Sequence, residues 1–373
     1  MNLNALQIIT LFSSFLLFML GSIFLFYHHK RKISNYILSA YMFSNTVLLG
    51  NFFAEITFPR YIHKFPVIDH IGMHCYLLLA PFLFLYIISL CKKDFRFSLK
   101  IILHFAPYML VTGTAILICI FANSSGPKFA KIWYIFSVIN NLVLYFQIGT
   151  YIVFSFIELK RYRSQLKELY SNLIRIDLQW INLVLYFLIL MWLTDMSDNY
   201  LNMFHLVKPG ITYYLLIQSV SADLLLCISL IYKGMQQTSF TSGIASAAKY
   251  SQTNLDNSAY EEYRNRLTLF IEKEKPFLVP DLNLDNLAEK MKIPPKHLSQ
   301  TINFCFKQNF NNYINRYRVN EAKQLMEMDK KGKKTFFEIL FEAGFNSKSV
   351  FNESFKKHTG TTPKEFRKKI KII

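Results

Sequence analysis

A chain of 373 residues has room for two domains or more, and at 52% hydrophobic and 18% charged it is oily for a soluble protein. Its formal net charge of +18 points to nucleic acid or an anionic membrane surface. The five cysteines, Cys75, Cys91, Cys119, Cys227 and Cys305, stand at no metal or redox spacing, which argues against a disulfide framework or a zinc site.

Crossing a bilayer core takes about 20 apolar residues in a helix. Seven stretches qualify: residues 6–27, 33–57, 71–91, 101–122, 132–157, 178–196 and 211–232. The first lacks a basic leading region and its apolar run is too long for a secretory signal. Its basic cluster, "HHKRK", follows the oily run. Loops after the first, third and fifth stretches hold 12 Lys/Arg, among them Lys30, Lys92, Lys100, Arg161 and Arg175, whereas the opposite loops hold 5: Arg60, Lys64, Lys128, Lys131 and Lys208. Positive residues favour the cytoplasmic side, so the N-terminus is expected outside and everything after Tyr232 inside. Tyr27 and Tyr232 then close their helices at the inner interface, with Trp133 and Tyr134 at the outer one. Residues 1–232 carry a net +8, and this topology accounts for much of it without a nucleic-acid partner.

Asp223 falls in the middle of the seventh stretch. An Asp there costs about 2.5–3.5 kcal/mol on insertion scales, so it is expected to face the bundle interior. Glu55 and Asp195 lie near outer helix ends, with Asp198 just beyond. Two readings stay open for these acids. They are the wall of an outward-facing ligand pocket, with Asp223, Glu55 and Asp195 as its candidate signal site, or they are interface carboxylates plus one Asp bonded to a neighbouring helix. His74, alone in an apolar run, reads as a bonded core residue.

Residues 233–259 are rich in Ser, Thr, Gln and Asn and read as a linker, either flexible or a continuing helix. From Tyr260 the periodicity is helical. Tyr263, Leu267, Phe270 and Ile271 form one apolar stripe, ended by Pro276 and Pro280. Asp285 is a candidate cap for a helix carrying Leu287, Ala288 and Met291 inward. Pro294 and Pro295 suit the start of a second helix, with Leu298 and Ile302 on one face and Lys296, Ser299, Gln300 and Asn303 on the other. These make one helix-turn-helix candidate. A longer helix follows over 311–328, then the basic loop "DKKGKK" and a repeat of the pattern. Thr335 with Glu338 forms a capping box, Gly344 suits a left-handed turn, and Lys348, Ser349, Asn352 and Glu353 face away from Val350, Phe351 and Phe355. Thr362 caps a last helix with Pro363 at its first position. Two such units bridged by one helix would present two reading helices to major-groove faces about 34 Å apart.

"LAEKMKIPPKHLSQTIN", "NFNNYINRYRVNEAK" and "EAGFNSKSVFNESFKKHTGTTPKEFRK" strongly resemble the DNA-binding domain of AraC/XylS-type transcriptional regulators, over roughly 263–370. The resemblance implies a bacterial regulator whose base-reading positions fall on Lys296, Ser299 and Gln300 in the first unit and Lys348, Ser349, Asn352 and Glu353 in the second. Lysine can hold guanine edges, and Asn or Gln adenine. Lys356, Lys357, Arg367, Lys368 and Lys369 fall to phosphates, against the plain alternative of a solvated basic face. Arg316 and Arg318 either brace the bridging helix or touch DNA. Three departures stand out: Lys307 where the family usually has Gly, Leu340 where Ala is usual, and Pro294-Pro295 in place of a Ser cap.

The expected fold is all-α: a seven-helix transmembrane bundle over 1–232, the linker, and an all-helical cytoplasmic domain over 260–373 with two helix-turn-helix units. The expected function is a regulator in the bacterial inner membrane that couples a signal at its bundle to promoter binding. Its partners are double-stranded DNA, the lipid bilayer and a small-molecule or protein signal, with a second copy of the chain and RNA polymerase as candidates. The alternative is a transporter or other membrane protein with a regulatory helical domain, although no clear internal repeat is visible. With no P-loop, H-E-x-x-H or G-x-S-x-G, no enzyme, cofactor or metal is expected.

Overall fold

The structure is a computed structural model that describes residues 3–26, 32–62, 64–92, 95–121, 127–173, 176–203, 209–237, 256–329 and 332–372. Tyr27, the loop cations Lys30, Arg31, Lys93, Arg175 and Lys208, the linker over 238–255, and Lys330 and Lys331 of the basic loop lie outside the described residues. The fold is all-α. Among the described residues there is no strand, only an isolated antiparallel bridge between Tyr170 and Asn283. The chain divides into two compact units, residues 1–160 with 178–245, and residues 161–177 with 246–373.

The first unit is built from α1 (Ala5–Phe26), α2 (Lys32–Thr57), the short α3 (Pro59–Ile62) and α4 (Pro66–Met73), α5 (Tyr76–Cys91), α6 (Ala106–Phe121), α7 (Pro127–Leu169) as far as Lys160, α8 (Gln179–Met203) and α9 (Pro209–Gln237). Among the described residues, seven helical stretches are long and apolar enough to cross a membrane. α1 lies close on α2, because Gly21 leaves room for the Met42 side chain. Leu17, Leu38, Met42, Leu77, Ile87 and Leu90 are fully buried between helices.

The third and fifth stretches are among those longer than their hydropathy suggests. The third begins at Pro66 rather than 71, because its polar residues are paired inside the unit. Asp69 accepts a 2.9 Å hydrogen bond from Asn51 Nδ2, and His70 Nε2 meets Cys119 Sγ at 3.2 Å. The fifth, α7, has 43 residues, about 65 Å at 1.5 Å per residue. Its last turns, "ELKRYRSQLKEL", are too charged to score as apolar, yet Leu159, Tyr162 and Leu166 recur on one face and are buried.

The second unit contains residues 161–177 and seven helices: α10 (Asn257–Glu274), α11 (Leu284–Met291), α12 (Pro295–Phe306), α13 (Phe310–Met328), α14 (Phe336–Glu342), α15 (Lys348–Thr359) and α16 (Pro363–Ile372). α13 serves two cores. Its first half gives Phe310, Tyr313 and Ile314 to a cluster with Leu267, Leu287 and Leu298. Its second half gives Val319, Ala322 and Met326 to a cluster with Leu340, Phe351 and Phe355. At about 1.5–3 kcal/mol for each fully buried large apolar side chain, these clusters hold the helices on α13.

The caps show why the helices start where they do. Thr335 with Glu338 makes the expected capping box, and Thr362 with Glu365 makes a second. In α11 the cap is Asn283, whose Oδ1 accepts from Asn286 N–H at 2.8 Å, and not Asp285. Leu284 is fully buried and takes the first helical position, which leaves Asp285 in the first turn beside the positive end of the helix dipole. Lys307 lies at φ +53°, the left-handed conformation that glycine adopts most readily.

Candidate nucleic-acid interface

The second helix of each helix-turn-helix, α12 and then α15, is preceded by a helix and a tight turn. α11 ends at Lys292 in a left-handed conformation, and Pro294 and Pro295 open α12. Leu298, Thr301 and Ile302 anchor α12, while Lys296, Ser299 and Gln300 are half-buried along its other side. In the second unit, Gly344 turns at φ +85°. A Cβ there would come within 2.4 Å of the Phe277 carbonyl oxygen, so the turn closes against the first core as well as its own. Phe351, Ser354 and Phe355 anchor α15, and Lys348, Ser349, Asn352 and Glu353 are all exposed on the opposite side.

The expected phosphate residues separate into two kinds. Lys356, Lys357, Lys368 and Lys369 are exposed, with Lys357 Nζ donating to Asn312 Oδ1 at 2.8 Å. Arg367 turns inward: it pairs with Asp329 and lies over the Phe336 ring, 5.2 Å from its centroid. Burial opposes ionisation of the Asp329 carboxyl, but the backbone N–H groups of Lys334 and Lys333 and the Arg367 guanidinium outweigh it and hold its pKa below the ordinary value.

Arg318, left open between bracing and DNA contact, braces. Only 1% exposed, it donates through Nε to Phe277 O (2.7 Å), through Nη1 to Asn315 Oδ1 (3.1 Å), and through Nη2 to Val279 O (2.8 Å), Pro280 O (3.1 Å) and Ser171 Oγ (3.1 Å). Burial pushes its pKa down to about 10, so it stays charged at neutral pH. Arg316 instead lies over the Tyr313 and Tyr317 rings.

Ser171 comes from the segment that continues α7, and it is fully buried. Its Oγ donates to Leu282 O, and its carbonyl accepts from Asn311 Nδ2 at 2.9 Å. One turn back, Glu168 accepts from Asn303 Nδ2 of α12 at 2.9 Å, while Leu169 packs on the first core. Residues 161–177 therefore touch both the bridging helix and α12. No local sequence pattern announces these contacts; the amphipathic spacing of Leu159, Tyr162, Leu166 and Leu169 was the available signal.

In the first unit, two of the three acids expected at a signal site come together. Asp223 and Asp195 line one cavity of about 270 Å³, walled also by Tyr41, Asn45, Tyr151 and Trp192. Glu55 does not line it. His74 is buried and stacks on His70.

Residues 287–369 match a family model described as "Helix-turn-helix domain". This part of the chain is a helix-turn-helix domain. An 88-residue stretch is 31% identical to an uncharacterised HTH-type transcriptional regulator in the cgkA 5′ region of Pseudoalteromonas carrageenovora, covering 24% of this chain and 50% of that protein. The chain thus spans about half the length of the curated relative it matches. A solved structure of a protein with unknown function from Listeria innocua is similar at 31% identity over 28% of this chain and 93% of its own, with a TM-score of 0.24.

Proposed function

We propose that the chain is a membrane-anchored, sequence-specific transcriptional regulator of the AraC/XylS type, resident in the bacterial inner membrane with its C-terminal unit in the cytoplasm. The observation that carries this reading is the second unit itself: two helix-turn-helix elements built on one bridging helix, the second presenting Lys348, Ser349, Asn352 and Glu353 together on an exposed face. In this reading Lys296, Ser299 and Gln300 read bases beside them. Lys356, Lys357, Lys368 and Lys369 meet phosphates, and Arg367 positions α16 through Asp329.

Membrane anchoring is supported by the outer surface of the first unit. Phe12, Phe15, Phe26, Phe146, Leu183 and Tyr214 are all exposed there, which suits lipid and not water. Signal coupling is supported by α7. The helix carries the fifth apolar stretch, and its continuation seats Ser171 against Arg318 and Glu168 against the first reading helix. A change in the apolar helices that shifts α7 would alter these contacts, and with them the population of DNA-competent arrangements. The linker is not needed for this route.

The test is DNA binding by the full chain in lipid nanodiscs. Affinity for its sites should fall steeply with salt. An impermeant label that reaches the C-terminal unit from outside intact cells would overturn the topology, and occupancy of no genomic site would overturn the regulator.

A further inference from the structure

The cavity of the first unit has a definite chemical bias. Tyr41, Tyr76, Phe84, Tyr151 and Trp192 give it aromatic walls, and most of the remaining lining is aliphatic. Its polar lining holds two carboxylates and an unpaired amide oxygen, together with one unpaired donor, the Trp192 indole N–H. Asn45 is 1% exposed, and its Oδ1 has no hydrogen-bond partner. Asp223 accepts no hydrogen bond from a described residue and lies against Tyr41, which is itself bonded to Asn45 one turn along α2. Asp195, beside Tyr145, adds a second carboxylate. Among the described residues no Lys, Arg or His lines the cavity, so none of them neutralises these acids.

Buried acceptors left unpaired are costly, and a lone carboxylate more so. An anion finds no counter-charge here. Among the described residues no group of three His, Cys, Asp or Glu is placed to hold a metal ion. A positively charged donor satisfies the open acceptors at once: it pairs with the carboxylate, donates to the amide oxygen and is attracted by the aromatic faces, while leaving the Trp192 indole N–H unpaired. The volume of about 270 Å³ is just under the ~300–1,000 Å³ of sites for drug-sized ligands. We propose that the cavity binds a small organic ammonium ion, a primary or secondary amine carrying one ring or a similar apolar body, with the ammonium group at Asp223 and Asn45 and the body among Tyr76, Phe84, Tyr151 and Trp192. This names the ligand class for the sensor role read above and rests on that reading for its biological use, though not for the binding itself.

Titration calorimetry on the full chain in nanodiscs tests it with 2-phenylethylamine, 2-phenylethanol and phenylacetate as probes. The amine should bind at one per chain, and the alcohol and the acid at least tenfold more weakly. Asp223→Asn should weaken the amine at least tenfold, and Asp195→Asn severalfold. Ala80→Phe, which fills the cavity from α5, should remove binding while the helical circular dichroism and its melting midpoint persist. Equal affinity for all three probes, or amine binding untouched by Ala80→Phe, overturns the proposal. If Asp223→Asn does not fold, Asp195→Asn and Ala80→Phe decide the matter. Because binding is read without DNA, an amine that binds but leaves promoter affinity unchanged upholds the site and counts only against coupling to DNA.

Discussion

Replacing Ser171 with Ala removes one hydroxyl from the contact between the continuation of α7 and the bridging helix. That hydroxyl donates to Leu282 O and accepts from the Arg318 guanidinium. A neutral hydrogen bond contributes about 1 kcal/mol net and one to a charged group about 1.5–3 kcal/mol. Neither partner is orphaned by the change, since Ser171 N–H still reaches Leu282 O at 3.2 Å and Arg318 keeps its bonds to Phe277 O, Val279 O, Pro280 O and Asn315. The loss is therefore about 1.5–2.5 kcal/mol, or about 10- to 70-fold in the equilibrium between seated and unseated segment. Amide hydrogen exchange on the full chain in nanodiscs reads this directly. Protection should fall at residues 170–172 and at the start of α13, with α14–α16 unchanged. Unchanged exchange at 170–172 would refute the assigned role of the hydroxyl. A uniform loss across α14–α16 would show that the segment is an inseparable part of the core and not a releasable contact.

Lys307→Gly should raise the stability of the second unit by about 1 kcal/mol, because glycine adopts the left-handed backbone at φ +53° without a Cβ penalty; urea unfolding monitored on α12 and α13 checks this. Gly344→Ala should cost about 3 kcal/mol or more, since φ +85° is joined to a Cβ only 2.4 Å from Phe277 O, and the same unfolding measurement would show it. Lys348→Ala and Asn352→Ala should each change the base preference of binding by about 1–3 kcal/mol at one position, whereas Lys368→Ala should weaken all sequences alike and lower the salt slope; a sequence-randomised binding selection separates the two. Glu338 and Glu365 are held below their ordinary pKa by the backbone and hydroxyl of Thr335 and Thr362, and Asp329 by the balance described above. Their folded values lie below their unfolded ones, so they stabilise the fold above the ordinary carboxylate range and lose that contribution as pH falls through it. His358 is lowered by burial, then by Lys357 and Arg316, so the unfolded chain takes up a proton first and stability begins to fall below pH about 6.5. Melting midpoints measured from pH 7 to 3 should show both steps, the upper one absent in His358→Gln.

Much of the fold was legible because its signals are local. Each apolar helix needs only its own composition, and Thr335 with Glu338, Gly344 and Thr362 with Pro363 mark the second helix-turn-helix within a few residues. Long-range partners were not legible. Arg318 sits in an ordinary helical pattern, and only the fold brings Phe277, Val279, Pro280 and Ser171 to its five donors. Arg367 looked like its lysine neighbours until Asp329, 38 residues away, proved to be its partner. The length of α7 was hidden because a hydropathy window sees charge in "ELKRYRSQLKEL" where helical periodicity sees a continuous stripe. Asp223 and Asp195 stood out as rare acids in oily helices, but Asn45 and Trp192 had no such contrast.

α13 is a ruler. Since one continuous helix feeds both cores, its residue count fixes the angular phase and the offset of α15 relative to α12. A single inserted residue would rotate one half by about 100° and advance it by about 1.5 Å. Each core would keep the side chains of its own half, but α15 would be turned and shifted against α12, so their mutual placement is set by a length that tolerates no drift.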